Sequence, residues 1–260
     1  MRGLLKKPGS LRPLPAALLF VAAVGFWLLC WHFIAQRIQM SLLLPSPAET
    51  FRTLGSIVTH ADFWRITLAS LLRIFSGFAM AVIVGSLLGA LTAFVPVARP
   101  FIALPMNIIK ATPVASFVIL ALVWLSSQQL SLFICFLMVL PLVWSNVETG
   151  FLQVDESLLE MAYVYRFSNK TVIQSIYFPA LKPFLVNALL LGFGYAWKSG
   201  VAAEVLGLPQ WGIGTKLYQS KIYLETPELF AWTLVVIVIS LLAEGGLTLW
   251  LKKERRMRSR

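Results

Sequence analysis

Long apolar runs separated by short polar joints dominate this chain, and that layout leaves few folds open. Several runs approach or exceed the roughly 20 residues a helix needs to cross a bilayer. In hydrocarbon every backbone N–H and C=O must be satisfied inside the structure, so only helices and closed barrels span. The period-two alternation of a barrel strand is absent, and the expectation is an all-α membrane protein. Composition agrees. Hydrophobic residues make up 58% of the 260 residues and charged residues 13%, against about 25% charged in a soluble domain; mean hydropathy is +0.80.

About six transmembrane helices are predicted, at 14–34, 66–95, 101–125, 130–147, 181–203 and 228–251. The first run is too long for a signal-peptide core and has no clear small-x-small cleavage site after it, so it reads as an uncleaved span. The net charge of +11 gathers at the ends of the apolar runs. Arg2, Lys6, Lys7 and Arg12 lie at one end of the chain, and Lys252, Lys253, Arg255, Arg256, Arg258 and Arg260 at the other. Cytoplasmic segments of membrane proteins carry this excess of Lys and Arg. Both termini are therefore expected in the cytoplasm of a multi-pass cell-membrane protein, as an even number of spans requires. Charge placed this way faces membrane lipid, not nucleic acid. Residues 1–260 read as one transmembrane domain with a six-span core over 14–251 and no soluble second domain.

The third span is expected to be interrupted at Pro105 and Pro113, and broken helices are tolerated at membrane depth only where they are buried in protein or line a cavity. Gly85 and Gly89 form a small-xxx-small pair in the second span, suited to close helix contact. Residues 48–60 carry Phe51, Leu54, Ile57 and Val58 at helical spacing and are expected to lie along the outer interface. Residues 204–227, rich in glycine, aromatic and apolar residues, are expected to pack back onto the spans.

The joint at 148–180, between the fourth and fifth spans, is unusually long and has a helical pattern. Ser157-Leu158-Leu159-Glu160 reads as a capping box, which predicts a helix over about 158–165. Ser168 or Asn169 is the expected cap of a second short helix ending before Pro179. Leu158, Leu159, Ala162, Val172, Ile173 and Ile176 can bury one side, leaving Tyr163, Tyr165 and Phe167 outside as anchors for a partner. Glu160 could equally be only a cap and the aromatics only interfacial anchors.

The spacing Glu160-Met161-Ala162, Arg166, Ile176-x-Phe178-Pro179 resembles the E-A-A-x3-G-x9-I-x-L-P signature of the permease subunits of binding-protein-dependent ABC importers. Leu44-Pro45-Ser46-Pro47, Ser70-Leu71-x-Arg73-x3-Gly77-Phe78, Ala196-Trp197 and Ala203-Glu204 extend the likeness over nearly the whole chain, toward the taurine, alkanesulfonate and nitrate branch. The resemblance implies that 148–180 is a coupling segment docking in a groove of a separate ATPase subunit, itself a dimer. Ser157, Glu160, Ala162, Tyr165, Arg166, Phe167, Ile176 and Pro179 are the docking candidates. It also implies an extracytoplasmic solute-binding protein and a second permease copy. Met161 replaces a small residue. Arg166 replaces a glycine whose role is to take positive φ at a helix end. An altered turn is the first expectation there, with accepted backbone strain or a charge facing an acidic patch as alternatives.

Ionisable residues inside spans are costly and are functional candidates by default. Lys198, Lys110 and Arg73, with Asn107, Trp197 and Glu204, are the candidates for a translocation path, in which the cations would favour anionic solutes. The opposing reading is snorkelling or structural pairing. Cys30 and Cys135 sit alone in apolar runs, without metal-ligand spacing, so no metal and no cofactor is expected. No GxxxxGK[ST], HExxH or GxSxG motif is present, so the chain is not expected to be an enzyme. A secondary transporter or channel with no ATPase partner is the alternative function.

Overall fold

The computed structural model describes residues 16–258, with side chains described over 18–246. The two terminal basic clusters lie outside the residues whose side chains are described. Among the described residues there is no strand. The helices are α1 (Ala16–Ile38), α2 (Pro47–Val58), α3 (Ala61–Phe94), α4 (Arg99–Ala111), α5 (Val114–Ala121), α6 (Ser127–Leu152), α7 (Glu156–Val164), α8 (Asn169–Val172), α9 (Phe178–Gly207), α10 (Ile213–Ile222) and α11 (Thr226–Arg258). The protein is an all-α membrane protein. Five helical runs are long and apolar enough to cross a bilayer: 18–38 within α1, α3, α6, Asn169–Gly207, and the first part of α11.

The place of the expected third span is taken by α4 and α5, which meet at a bend of 103°. The expectation of a span interrupted at both prolines is corrected in one respect. Pro105 lies inside α4 without ending it, and the break is at Thr112-Pro113. Thr112 has φ −89° and ψ 131°. A residue before proline is pushed out of the helical region by the proline ring, which accounts for that extended backbone.

The centre of the molecule is α6 packed between α3 and α9. On α3 the face toward α6 is Gly77, Ala81, Gly85 and Gly89, one small residue per turn. A Cβ added at Gly85 would sit 2.8 Å from Val143 Cβ, and one at Gly89 2.8 Å from the Trp144 carbonyl oxygen. The two backbones approach so closely that no side chain fits between them, as in other membrane helix pairs built on small residues. Ile74, Cys135, Val139, Val143, Trp197 and Val201 fill the core around this seam. The seam carries its own polar pair, with Trp144 Nε1 donating to Thr92 Oγ1 at 3.1 Å.

The stretch expected at the interface forms α2. Its start is a capping box that the sequence reading did not pick out. The Ser46 side chain accepts from the Glu49 amide and Glu49 accepts from the Ser46 amide, with Pro47 opening the first turn. The segment after α9 packs back as expected, with α10 lying against α9 and α11 and Ile213 fully buried. The helix α1 meets the rest through α2 and through Trp31, whose ring stacks on Phe230 and whose Nε1 donates to the Pro45 carbonyl.

Overpacking the seam should be costly. Gly89→Leu is expected to lower stability in detergent by about 1–3 kcal/mol, the usual range for forcing atoms into a packed contact. Gly55→Ala, at a position with open space within 4 Å, should leave the thermal unfolding temperature unchanged or slightly raised.

Candidate functional site

Three features stand out: the joint after α6, a cleft at the α4–α5 break, and a buried ion pair at the opposite end of the bundle. The joint forms a compact knuckle. Helix α7 begins at Asp155, whose carboxylate accepts from the Ser157 amide at 2.9 Å. The predicted capping box is therefore corrected. Ser157 lies inside the helix, so it is not the N-cap; Asp155, two residues earlier, holds that position. Ser168 caps α8 by accepting from the Thr171 amide, as expected.

The predicted second short helix does not end before Pro179. A π-helical stretch, Ile173–Tyr177, joins α8 to α9 without a break, and the helix runs on through Pro179 and Pro183 to Gly207. Proline lacks a backbone donor and its ring crowds the preceding turn, so a widened turn just before Pro179 relieves the conflict. The rings of Phe94, Phe151 and Tyr177 pack against one another at 5.1–5.8 Å between centroids, tying the π-helical stretch to the ends of α3 and α6.

Arg166 has φ +53°. The first expectation, an altered turn, is corrected. Phe167 N donates to the Ala162 carbonyl at 2.9 Å and Arg166 N to the Tyr163 carbonyl at 3.1 Å. This is the double hydrogen-bond pattern of a Schellman cap, with Arg166 at the left-handed position glycine usually fills. A non-glycine residue there costs on the order of 1 kcal/mol. The cap turns the chain so that Tyr163, Tyr165 and Phe167 project outward, 86%, 71% and 41% exposed. Ala162 and Ile176 are buried and Leu159 and Val172 half-buried, while Leu158 and Ile173 are exposed, against expectation. Glu160 and Pro179 are exposed.

The cleft, about 610 Å³, lies where two backbone irregularities face each other: the Thr112-Pro113 break and Pro141 inside α6. Lys110 and Lys198 enter it from α4 and α9, with hydroxyls from Thr112, Ser145, Tyr195 and Ser199, and no carboxylate lines it. The Lys110 ammonium lies 5.6 Å over the Trp144 ring, within range of a cation–π contact. Lys198 makes no hydrogen bond or ion pair among the described residues. Of the path candidates, the structure thus brings together Lys110 and Lys198. Asn107 is exposed outside the cleft wall, and Trp197 is in the core, donating to the Val236 carbonyl. Tyr195, Ser145 and Ser199 were missed; hydroxyls in apolar helices are too common to be a signal.

Arg73 and Glu204 are joined to each other. Arg73 Nη2 lies 2.7 Å from Glu204 Oε1, and the Glu204 side chain is 0% exposed. Ser70 Oγ and the Gly214 amide donate to Glu204 Oε2, and Arg73 also donates to the Trp211 carbonyl. Ser70 Oγ in turn accepts from the Ile213 amide. For Arg73 and Glu204 the structure thus shows structural pairing, the opposing reading, and they pair with each other across 131 residues. This network fastens the first turn of α10 to α3 and α9.

Two outcomes follow. Removing one member of a buried ion pair costs about 3–5 kcal/mol because the other charge is left uncompensated. Arg73→Met should lower the unfolding temperature in detergent and open residues 210–222 to amide hydrogen exchange. Separately, hydrogen bonds from the Ser157 side chain and amide hold the Asp155 carboxyl below its ordinary value of 3.8. A lowered folded value stabilises the α7 cap above the unfolded value, and that stabilisation is lost as pH falls through the folded value. Protection of the 157–160 amides, measured against their intrinsic exchange rates, should therefore fall below about pH 4, and Asp155→Asn should remove that dependence.

Residues 81–253 match the family described as binding-protein-dependent transport system inner membrane component. A protein named as a probable ABC transporter permease from Brucella melitensis is 26% identical over 241 residues, covering 89% of this chain and 94% of its own length. The taurine transport system permease protein of Escherichia coli is 24% identical, over 84% of this chain and 81% of its own. The bicarbonate transport system permease protein of Synechocystis is 25% identical, over 86% and 83%. With the family match covering most of the sequence, this chain belongs to the inner-membrane permease components of binding-protein-dependent ABC transport systems.

Proposed function

We propose that this permease moves a small anion, such as a sulfonate, through the cleft at the α4–α5 break, driven by ATP hydrolysis in a separate dimeric ATPase. The observation that carries this reading is the cleft itself. Two ammonium groups and four hydroxyl-bearing side chains meet there, beside the break between α4 and α5 and beside Pro141 of α6. Two cations in a cleft whose own lining holds no carboxylate favour an anion, and Glu244, which borders a neighbouring cavity with Lys198, lies outside that lining. The taurine and bicarbonate relatives are named for anionic or sulfonate solutes, which supports the same class.

In this reading the whole chain is one permease domain that is not itself catalytic, and residues 148–180 are its coupling segment. Ser157, Glu160, Ala162, Arg166, Ile176 and Pro179 shape the knuckle, and Tyr165 and Phe167, with Tyr163, enter the ATPase groove. Asn107 and Trp197 support the path from outside its wall, and Arg73 and Glu204 hold the closure at its other end. Two permease copies line a common path in the inner membrane, lipid surrounds them, both termini are cytoplasmic, and an extracytoplasmic binding protein delivers the solute.

The test uses the complete transporter in vesicles. A hydrogen bond to a charged group is worth about 1.5–3 kcal/mol, so Lys198→Gln should slow anion uptake about tenfold or more while ATPase association is kept. Tyr165→Ala with Phe167→Ala should release the ATPase while membrane accumulation is unchanged. Uptake that is insensitive to Lys198→Gln would overturn the assignment of the path. An ATPase retained by the double alanine variant would overturn the assignment of the docking face.

A further inference from the structure

Among the described residues, two carboxylates are buried, Glu204 and Glu148. Glu148 lies one turn before the end of α6, at the end that carries the knuckle. Arg99 Nε lies 3.1 Å from Glu148 Oε1, with side-chain exposures of 60% and 5%. The contact is an ion pair off the line of a hydrogen bond, and Oε1 has no hydrogen-bond partner. A buried carboxylate oxygen left without a directional partner costs free energy, so its placement needs a reason beyond packing.

Arg99 is equally out of place by local rules. It is the first residue of α4, and Ala98 before it offers no side-chain cap. A cation at a helix N-terminus opposes the helix dipole. Neither residue is there for its own helix; each is explained by the other.

The two ends of α4 then matter. One end is held to α6 by this pair, seven residues before the Asp155 cap of α7. The other end carries Lys110 and the Thr112-Pro113 break, both in the cleft wall. Thirteen residues of unbroken helix connect them, a rod of about 20 Å at 1.5 Å per residue.

We propose that the Arg99–Glu148 pair is the joint through which movement of the knuckle reaches the cleft. Displacement of the end of α6 pulls α4 by its first residue and shifts Lys110 at the far end. This rests on the coupling reading above, and both residues act as positioning residues that touch neither solute nor ATPase.

The experiment measures solute moved per ATP hydrolysed by the complete transporter in vesicles. Arg99→Gln removes a largely exposed side chain, so the assembled complex should form at normal yield. Hydrolysis should stay within about twofold of the parent while solute moved per ATP falls about tenfold, the scale on which single residues modulate coupling. Glu148→Gln should do the same, and Arg99→Lys, which keeps the charge, should recover part of the ratio. Hydrolysis and transport falling in parallel, or an unchanged ratio, would overturn the proposal. If Glu148→Gln fails to assemble, Arg99→Gln and Arg99→Lys decide it alone. A parent complex that retains no ATPase would instead overturn the coupling reading, and so separates the two failures.

Discussion

A fully buried carboxylate near the end of α9 sets the condition that the rest of the bundle meets. Glu204 has no exposed side-chain surface and is held by Arg73, Ser70 and the Gly214 amide. A lone charge in that position would be prohibitive, and a paired one is tolerated only when its remaining lone pairs are also satisfied. Meeting that demand requires α3, α9 and α10 to converge within hydrogen-bond distance of one residue. The convergence places Ile213 in the core and requires Gly214, where a Cβ would collide with the α9 backbone. One end of the bundle is thereby closed by polar contacts, while its middle is held by the glycine seam of α3 on α6.

The opposite end is built differently. There the chain leaves α6 through a Schellman-capped helix with exposed aromatics, then re-enters the bundle through a π-helical stretch tied by Phe94, Phe151 and Tyr177. One end is fastened and the other presents exposed aromatic side chains, with the cleft lying beside Pro141 of α6 and the break of the α4–α5 pair. The proposed alternation of access around a fixed site requires such a division between a fastened end and a movable one.

Much of this was legible in the residues, because hydrocarbon imposes such strict rules. Apolar length located the spans, and the Gly85–Gly89 spacing located the close contact. The spacing from Glu160 to Pro179 located the knuckle. Where reading failed, the cause was competition between equivalent local signals. Ser-x-x-Glu occurs at 46–49 and at 157–160, but only the first forms a capping box. Pro47 opens the first turn at one site, and Asp155 takes over the cap at the other. Pro105 and Pro113 are the same residue type in one apolar run, but only the second breaks the helix. Glycine at 166 is replaced by arginine without loss of the turn, because the Phe167 and Arg166 amide bonds fix the left-handed backbone. Pairing is the least legible feature. Arg73 and Glu204 are 131 residues apart, and nothing in either neighbourhood names the other.

The central claim is that ATP-driven motion enters the permease through residues 155–177. It is tested most directly by placing a spin label at residue 163 of each of the two proposed permease copies in the assembled transporter and measuring the distance between the labels. The account predicts a shorter distance with ATP bound than without nucleotide, returning after hydrolysis. A distance that does not respond to nucleotide, in a transporter that still moves its solute, would contradict it.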